Sequence, residues 1–252
     1  MALIGANNST PSTQSMPSAS AGVSTGLPIR MVVPTTHSQE NFFKTTMTGR
    51  SLLACQNAGA FQLRLFENNT KGLAEVYNQA IDEAQNDPAI LIFIHDDVLI
   101  CDFHWQKRVC DALKKFQVLG VAGNTRRLPA QPGWIMINTN KQLDNYAYLS
   151  GAIGQDTQFP PGQLDVFGPA GLECKLLDGV FLAVSSHTLH STGLRFDPQF
   201  KFHFYDLDFC RSAEQLKVTM GTVDVSLVHA SLGHIDNVWN DSYNLYIQKW
   251  KT

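Results

Sequence analysis

Apolar residues recur along this chain in two rhythms, one of strands and one of helices. Ile29 to Val33 is a short, mostly apolar run closed by Pro34-Thr35-Thr36, which predicts a buried strand ending in a loop. Gln39 to Ala54 is compatible with a helix, and Phe61 to Phe66 alternates Phe61, Leu63 and Leu65 with Gln62 and Arg64, a half-buried strand. Leu73, Val76, Tyr77, Ala80, Ile81 and Ala84 fall at i, i+3, i+4, i+7, i+8 and i+11, one apolar stripe along a helix. Ala89 to Ile94 is apolar throughout, as in a strand covered on both faces. Trp105, Val109, Ala112, Leu113 and Phe116 predict a second amphipathic helix, followed by a strand over Val118 to Ala122. After a long interval come a strand over Leu176 to Val184 with Asp178-Gly179 in its middle, a helix from about Asp206 to Leu216, and a strand over Val218 to Val228.

Strands alternating with helices argue an α/β fold, a mostly parallel sheet with helices on both faces. Ligands on such sheets sit beyond the carboxyl ends of the strands. Two stretches break the pattern. Asn7 to Gly26 is mostly Ser, Thr, Ala, Gly, Pro and Asn with almost nothing to bury, and residues 1–27 are expected to form a flexible tail ahead of one domain spanning residues 28–252. Residues 124–175 are rich in Pro, Gly, Asn and Gln and predict an irregular insertion, with a hairpin around Trp134 to Asn138.

Composition narrows the function classes. With 252 residues and 44% hydrophobic content, the chain supports one large core. A net charge of -3 gives no basic field for phosphate backbones, so nucleic acid is not an expected partner. The longest apolar runs are strand-length, far below a bilayer span. Five dispersed cysteines without a CxxC pair, and a start lacking the basic and apolar regions of a secretory signal, are expected of a cytoplasmic protein.

Chemistry gathers at three element ends. His95-Asp96-Asp97-Val98 closes the all-apolar strand, and two adjacent anions there are easier to hold if a cation sits between them and a ligand. His95 itself can pack on the sheet end or serve a ligand. Tyr205-Asp206-Leu207-Asp208 enters a helix, where the carboxylates can be a cap and a dipole partner, or a general base and its scaffold. His229 ends the last apolar strand, placed to join Asp97 on a divalent metal, a donor pair that suits Mn more readily than Ca or Mg. HExxH, zinc-type Cys/His spacing and the Walker loop are all absent.

In this order, with Lys71-Gly72-Leu73-Ala74-Glu75-Val76-Tyr77-Asn78 and Lys249-Trp250, these motifs resemble a family 2-type glycosyltransferase of the GT-A fold, its shorter branch with His-Asp-Asp-Val in place of Asp-x-Asp. The resemblance covers roughly Ile29 to Trp250. It implies an inverting, metal-dependent transfer of sugar from a nucleotide-sugar donor to a hydroxyl of a glycan, lipid-linked or protein acceptor, with Mn²⁺ or Mg²⁺ as cofactor. It further implies Asp97 and His229 as metal ligands, Pro34, Thr35, Asp96 and Asp97 on the donor, and Asp206 as the base. Asp178, Gly179, Trp134 and Tyr205 fall on the acceptor side. The Asp-Asn-x-Ser loop usual after the second strand is missing; Phe66-Glu67-Asn68-Asn69 stands there instead. Two other readings compete: a metal-dependent hydrolase built on His95, Asp96, Asp97 and His229, and a domain that binds a sugar nucleotide without turnover.

Overall fold

Two strands buried at every position lie side by side in one sheet. In this computed structural model, which describes residues 26–54, 61–231, 233 and 235–251, β1 (Ile29–Pro34) is buried at every position. The expected tail lies outside the described residues except for Gly26 and Leu27. Two short helices follow, α1 (Gln39–Thr45) and α2 (Met47–Ala54), then the partly exposed strand β2 (Gln62–Phe66) and helix α3 (Leu73–Glu83). Next come β3 (Ile90–Ile94), buried throughout, β4 (Val98–Ile100), helix α4 (Trp105–Ala112), β5 (Val118–Gly120) and β6 (Ala122–Asn124). The remainder is β7 (Leu149–Gln155), β8 (Gln163–Gly168), β9 (Leu176–Leu177), β10 (Phe181–Ser185), α5 (Ser186–Thr192), α6 (Tyr205–Gln215), β11 (Met220–Thr222), β12 (Leu227–His229) and α7 (Asn237–Trp250).

The strands form two sheets, ordered β11-β5-β10-β3-β1-β2 and β4-β12-β7-β6-β9, with β8 added to β7. The first sheet pairs β1 in parallel with β2 and β3, and β11 in parallel with β5. Strand β10 enters antiparallel between β3 and β5. The second sheet is largely antiparallel. The mostly parallel sheet expected from the sequence is the first sheet, where three of the five pairings are parallel; the largely antiparallel second sheet is the addition.

Three predicted strands are each split between the sheets. Val118 to Ala122 divides at Val121 into β5 and β6, Leu176 to Val184 divides at Asp178-Gly179 into β9 and β10, and Val218 to Val228 divides into β11 and β12. Both sheets bury residues in one continuous core, so an apolar run stays apolar while it changes sheets. The insertion is more ordered than expected. Strands β7 and β8 form an antiparallel pair within it, but β8 leaves Leu164 and Val166 exposed, so its pattern lacks the alternation of a buried strand. A short hairpin is present near Trp134, where Met136 bridges Leu143 and Ile137 N–H donates to Gln142 O at 2.9 Å.

The helix expected over Gln39 to Ala54 breaks at Thr46, whose backbone is extended. Gly49 allows the resulting corner, because a Cβ there would lie 2.1 Å from the Phe42 carbonyl oxygen. The corner aims the start of α2 at the loop after β3. Thr48 N–H donates to Asp96 O at 3.1 Å, and its Oγ1 lies 2.6 Å from His95 O and 2.8 Å from Val98 O while accepting from Val98 N–H at 3.1 Å. Thr48→Val keeps the shape and leaves these buried groups unpaired, so it is expected to cost about 1–3 kcal/mol. A melting temperature within 1 °C of wild type would show that Thr48 does not hold the loop.

Helix α7 was not evident from the sequence. Trp239, Tyr243, Tyr246 and Trp250 fall at i, i+4, i+7 and i+11, a spacing that would have revealed it. Its aromatic face packs on Phe204, with ring centroids 5.2 Å from Trp239 and 5.3 Å from Tyr246. Among the described residues no helix is long and apolar enough to cross a membrane.

Candidate active site

Antiparallel pairing of β12 with β4 sets His229 opposite Val98, and Ala230 N–H donates to Asp97 O at 3.1 Å. This register carries the His229 imidazole to the Asp97 carboxylate, with Nε2 3.3 Å from Oδ1. His95, at the end of β3, brings Nδ1 to 4.0 Å from the same oxygen. One ligating atom from each of His95, Asp97 and His229 lies within 4.8 Å of the others. Asp97 Oδ1 and His229 Nε2 are buried, and neither forms a well-angled hydrogen bond, although they face each other. Two imidazoles and a carboxylate converge here, with Asp97 Oδ1 and His229 Nε2 unpaired, a donor set that fits a divalent transition metal better than Ca²⁺ or Mg²⁺.

Electrostatics reinforce the cluster. Burial works to raise the Asp97 carboxyl, but the His229 and His95 imidazoles outweigh it and hold the group below the usual carboxylate range. Burial opposes the charged form of His229, yet the Asp97 carboxylate prevails and shifts the imidazole upward. His95 is shifted downward by its burial and by the neighbouring His229.

Beside the cluster, Thr35 follows Pro34, the last residue of β1, and its Oγ1 donates to Asp96 Oδ2 at 2.6 Å. Thr35 N–H donates to Phe66 O at 3.0 Å, so β1 and β2 together fix the wall that carries Asp96. On another side, Gly179 lies between β9 and β10 against the start of α6. A Cβ on Gly179 would lie 2.3 Å from Tyr205 Oη and 2.9 Å from Asp206 Cβ, so only glycine allows this approach.

Tyr205 and Asp206 hold Gly179 from both sides: Tyr205 Oη–H donates to Gly179 O at 2.9 Å, and Gly179 N–H donates to Asp206 Oδ2 at 3.1 Å. Burial and the nearby Asp178 charge push the Asp206 carboxyl up to about 7, against the pull of the Leu207 and Gly179 N–H groups. A carboxylate poised near neutrality is suited to take up a proton. Phe204, just before this pair, has a left-handed backbone with φ 64°, a strained conformation for a side chain, and the α7 aromatic face clamps its ring.

Asp178 accepts from Trp134 Nε1–H at 2.7 Å and from Val180 N–H at 2.8 Å. The Trp134 ring is buried edge-on against Phe167, so what it offers the site is its N–H rather than an open ring face. Asp208 serves the frame. It is fully buried, accepts from Trp250 Nε1–H at 2.8 Å and pairs with Lys249, which also reaches Asp197. Thr48 is the site residue least visible in the sequence, since it is an uncharged residue inside a predicted helix. A separate cavity of about 1000 Å³, lined in part by Arg108, Leu164, Val166 and Val225, includes none of the cluster residues, and among the described residues it gathers no metal-ligating group.

The family model described as glycosyltransferase-like matches residues 35–249, most of the chain. The chain belongs to the glycosyltransferase-like family. Among solved structures, this glycosyltransferase-family chain is similar to GalNAc-T7 crystallised with UDP, GalNAc and Mn²⁺, at 11% identity and a TM-score of 0.54 over 88% of this chain and 48% of that one. It spans about half the length of GalNAc-T7, and at this identity the likeness shows a shared GT-A-type fold. Weaker likenesses include the catalytic domain of Drosophila β1,4-galactosyltransferase 7 in complex with xylobiose, at 10% identity and TM-score 0.46 over 86% of this chain and 79% of that one. Another is S. aureus TarS, at 13% identity and TM-score 0.45 over 81% and 37% respectively. No curated protein matches the sequence.

Proposed function

We propose that the protein is an inverting, metal-dependent glycosyltransferase that moves a sugar from a nucleotide-sugar donor to a hydroxyl of a glycan, lipid-linked or protein acceptor. The observation that carries this is the meeting of Asp97 and His229 at the sheet ends, with their facing atoms orphaned, beside an Asp206 held near neutrality. Family membership supports the reaction class.

A divalent cation, Mn²⁺ or Mg²⁺, held by Asp97 and His229 would offset the charge that develops on the departing diphosphate. Asp96, fixed by Thr35, lines the donor side with Pro34. Asp206 takes the acceptor's hydroxyl proton as the acceptor oxygen bonds to the anomeric carbon and the bond to the diphosphate breaks. Asp178, oriented by Trp134, and Gly179 line the acceptor side with Tyr205. A cytoplasmic location is proposed from the dispersed cysteines alone.

The test is a thermal-shift screen of nucleoside diphosphates and sugar nucleotides with and without Mn²⁺, followed by product analysis with and without acceptor. A nucleoside diphosphate that raises the melting temperature only with Mn²⁺ is expected, since binding to the folded state stabilises it by mass action. Donor cleavage at full rate without acceptor would make the protein a hydrolase instead.

A further inference from the structure

The Tyr205 hydroxyl is 2.7 Å from His95 Nε2 and 2.9 Å from Gly179 O. A carbonyl oxygen only accepts, so the single Tyr205 proton goes to Gly179 O. The remaining lone pairs on Tyr205 Oη then require His95 Nε2 to be the donor, which leaves Nδ1 without a proton. The opposite tautomer loses the bond to Gly179 O, and among the described residues its Nδ1–H gains no acceptor in return, since Asp97 Oδ1 is 4.0 Å away, beyond hydrogen-bond reach. One tautomer makes two hydrogen bonds where the other makes one.

We propose that Tyr205, anchored on the Gly179 carbonyl, locks His95 in its Nε2–H tautomer, so that Nδ1 presents a lone pair and His95 is a third ligand of the metal site of Asp97 and His229. Tyr205 is therefore a positioning residue, acting through His95, and the proposal rests on the metal reading above. This explains why an imidazole can stand where a carboxylate is usual. His95 holds one orientation because its far nitrogen is spoken for, as ligating imidazoles generally need. It also gives Gly179 a second use. Its missing Cβ is the space in which Tyr205 Oη sits, so the contact that excludes a side chain also sets the histidine's proton.

The lock exists before any metal binds, so it is tested first on the metal-free wild-type chain by ¹⁵N-histidine NMR at a pH where the imidazole is neutral. His95 is expected to show a protonated Nε2 and a bare Nδ1; a protonated Nδ1 overturns the proposal. Isothermal titration with Mn²⁺, without donor, then compares wild type with Tyr205→Phe. The variant keeps the ring and loses the hydroxyl, so it is expected to bind roughly 10- to 100-fold more weakly and to show a mixture of His95 tautomers. Wild-type affinity in Tyr205→Phe overturns the proposal while leaving the metal reading standing. Failure of the wild-type chain to bind Mn²⁺ overturns the metal reading, and the ligand assignment with it.

Discussion

Asp206→Asn is expected to lower sugar transfer by roughly 10²-fold or more while leaving metal-dependent binding of the nucleoside diphosphate intact. Asparagine preserves the shape and can still accept from Gly179 N–H, but it cannot take a proton from the acceptor. The same substitution should change stability in a pH-dependent way. In the wild type, burial and Asp178 push this carboxyl up to about 7, well above its value in the unfolded chain. Between about pH 4 and 7 the folded state therefore binds more protons than the unfolded one, and its stability falls as pH rises. The full contribution is present below that window and is gone above it. Asp206→Asn removes this dependence, so its melting temperature should exceed that of wild type at pH 8 and approach it at pH 4. A variant that transfers sugar at near wild-type rate would show that another group is the base.

Asp97→Asn is expected to act on binding instead. The amide has no charge to hold a cation, so Mn²⁺ affinity should fall on the order of 10²-fold or more, and the diphosphate should no longer raise the melting temperature in a Mn²⁺-dependent way. The pair of variants separates roles, since one loses turnover with binding intact and the other loses binding itself. Unchanged Mn²⁺ titration in Asp97→Asn would remove Asp97 from the metal site.

The sequence revealed the elements better than their partners. The apolar stripe from Leu73 to Ala84 and the continuous run from Ala89 to Ile94 announced α3 and β3 because each is covered by one kind of neighbour along its length. The runs around Val121, Asp178 and Val223 could not announce their division, because hydrophobicity reports burial and not which sheet does the burying. At the site, Asp97 and His229 drew attention because titratable residues at the ends of apolar runs demand a reason, whereas Asp206 as a base came only through the family resemblance. Thr48 and the hydrogen bond between His95 and Tyr205 were not legible, since they depend on a helix corner at Thr46 and a missing Cβ at Gly179. The double use of Trp134, ring in the core and N–H on Asp178, likewise appears only in three dimensions.

The division of strands between two sheets has one more consequence. His95 ends a strand of the first sheet, whereas His229 ends a strand of the second and Asp97 lies in the short link from one to the other. Their ligating atoms meet only while the sheets stay docked, so an ion held by all three would act as a rivet across the seam. By reciprocity, whatever the ion contributes to closing the seam, closing the seam contributes to holding the ion. A change far from the site that loosens the junction at Val121 or Asp178 would then be felt first as lost affinity for the metal, before the fold itself gives way.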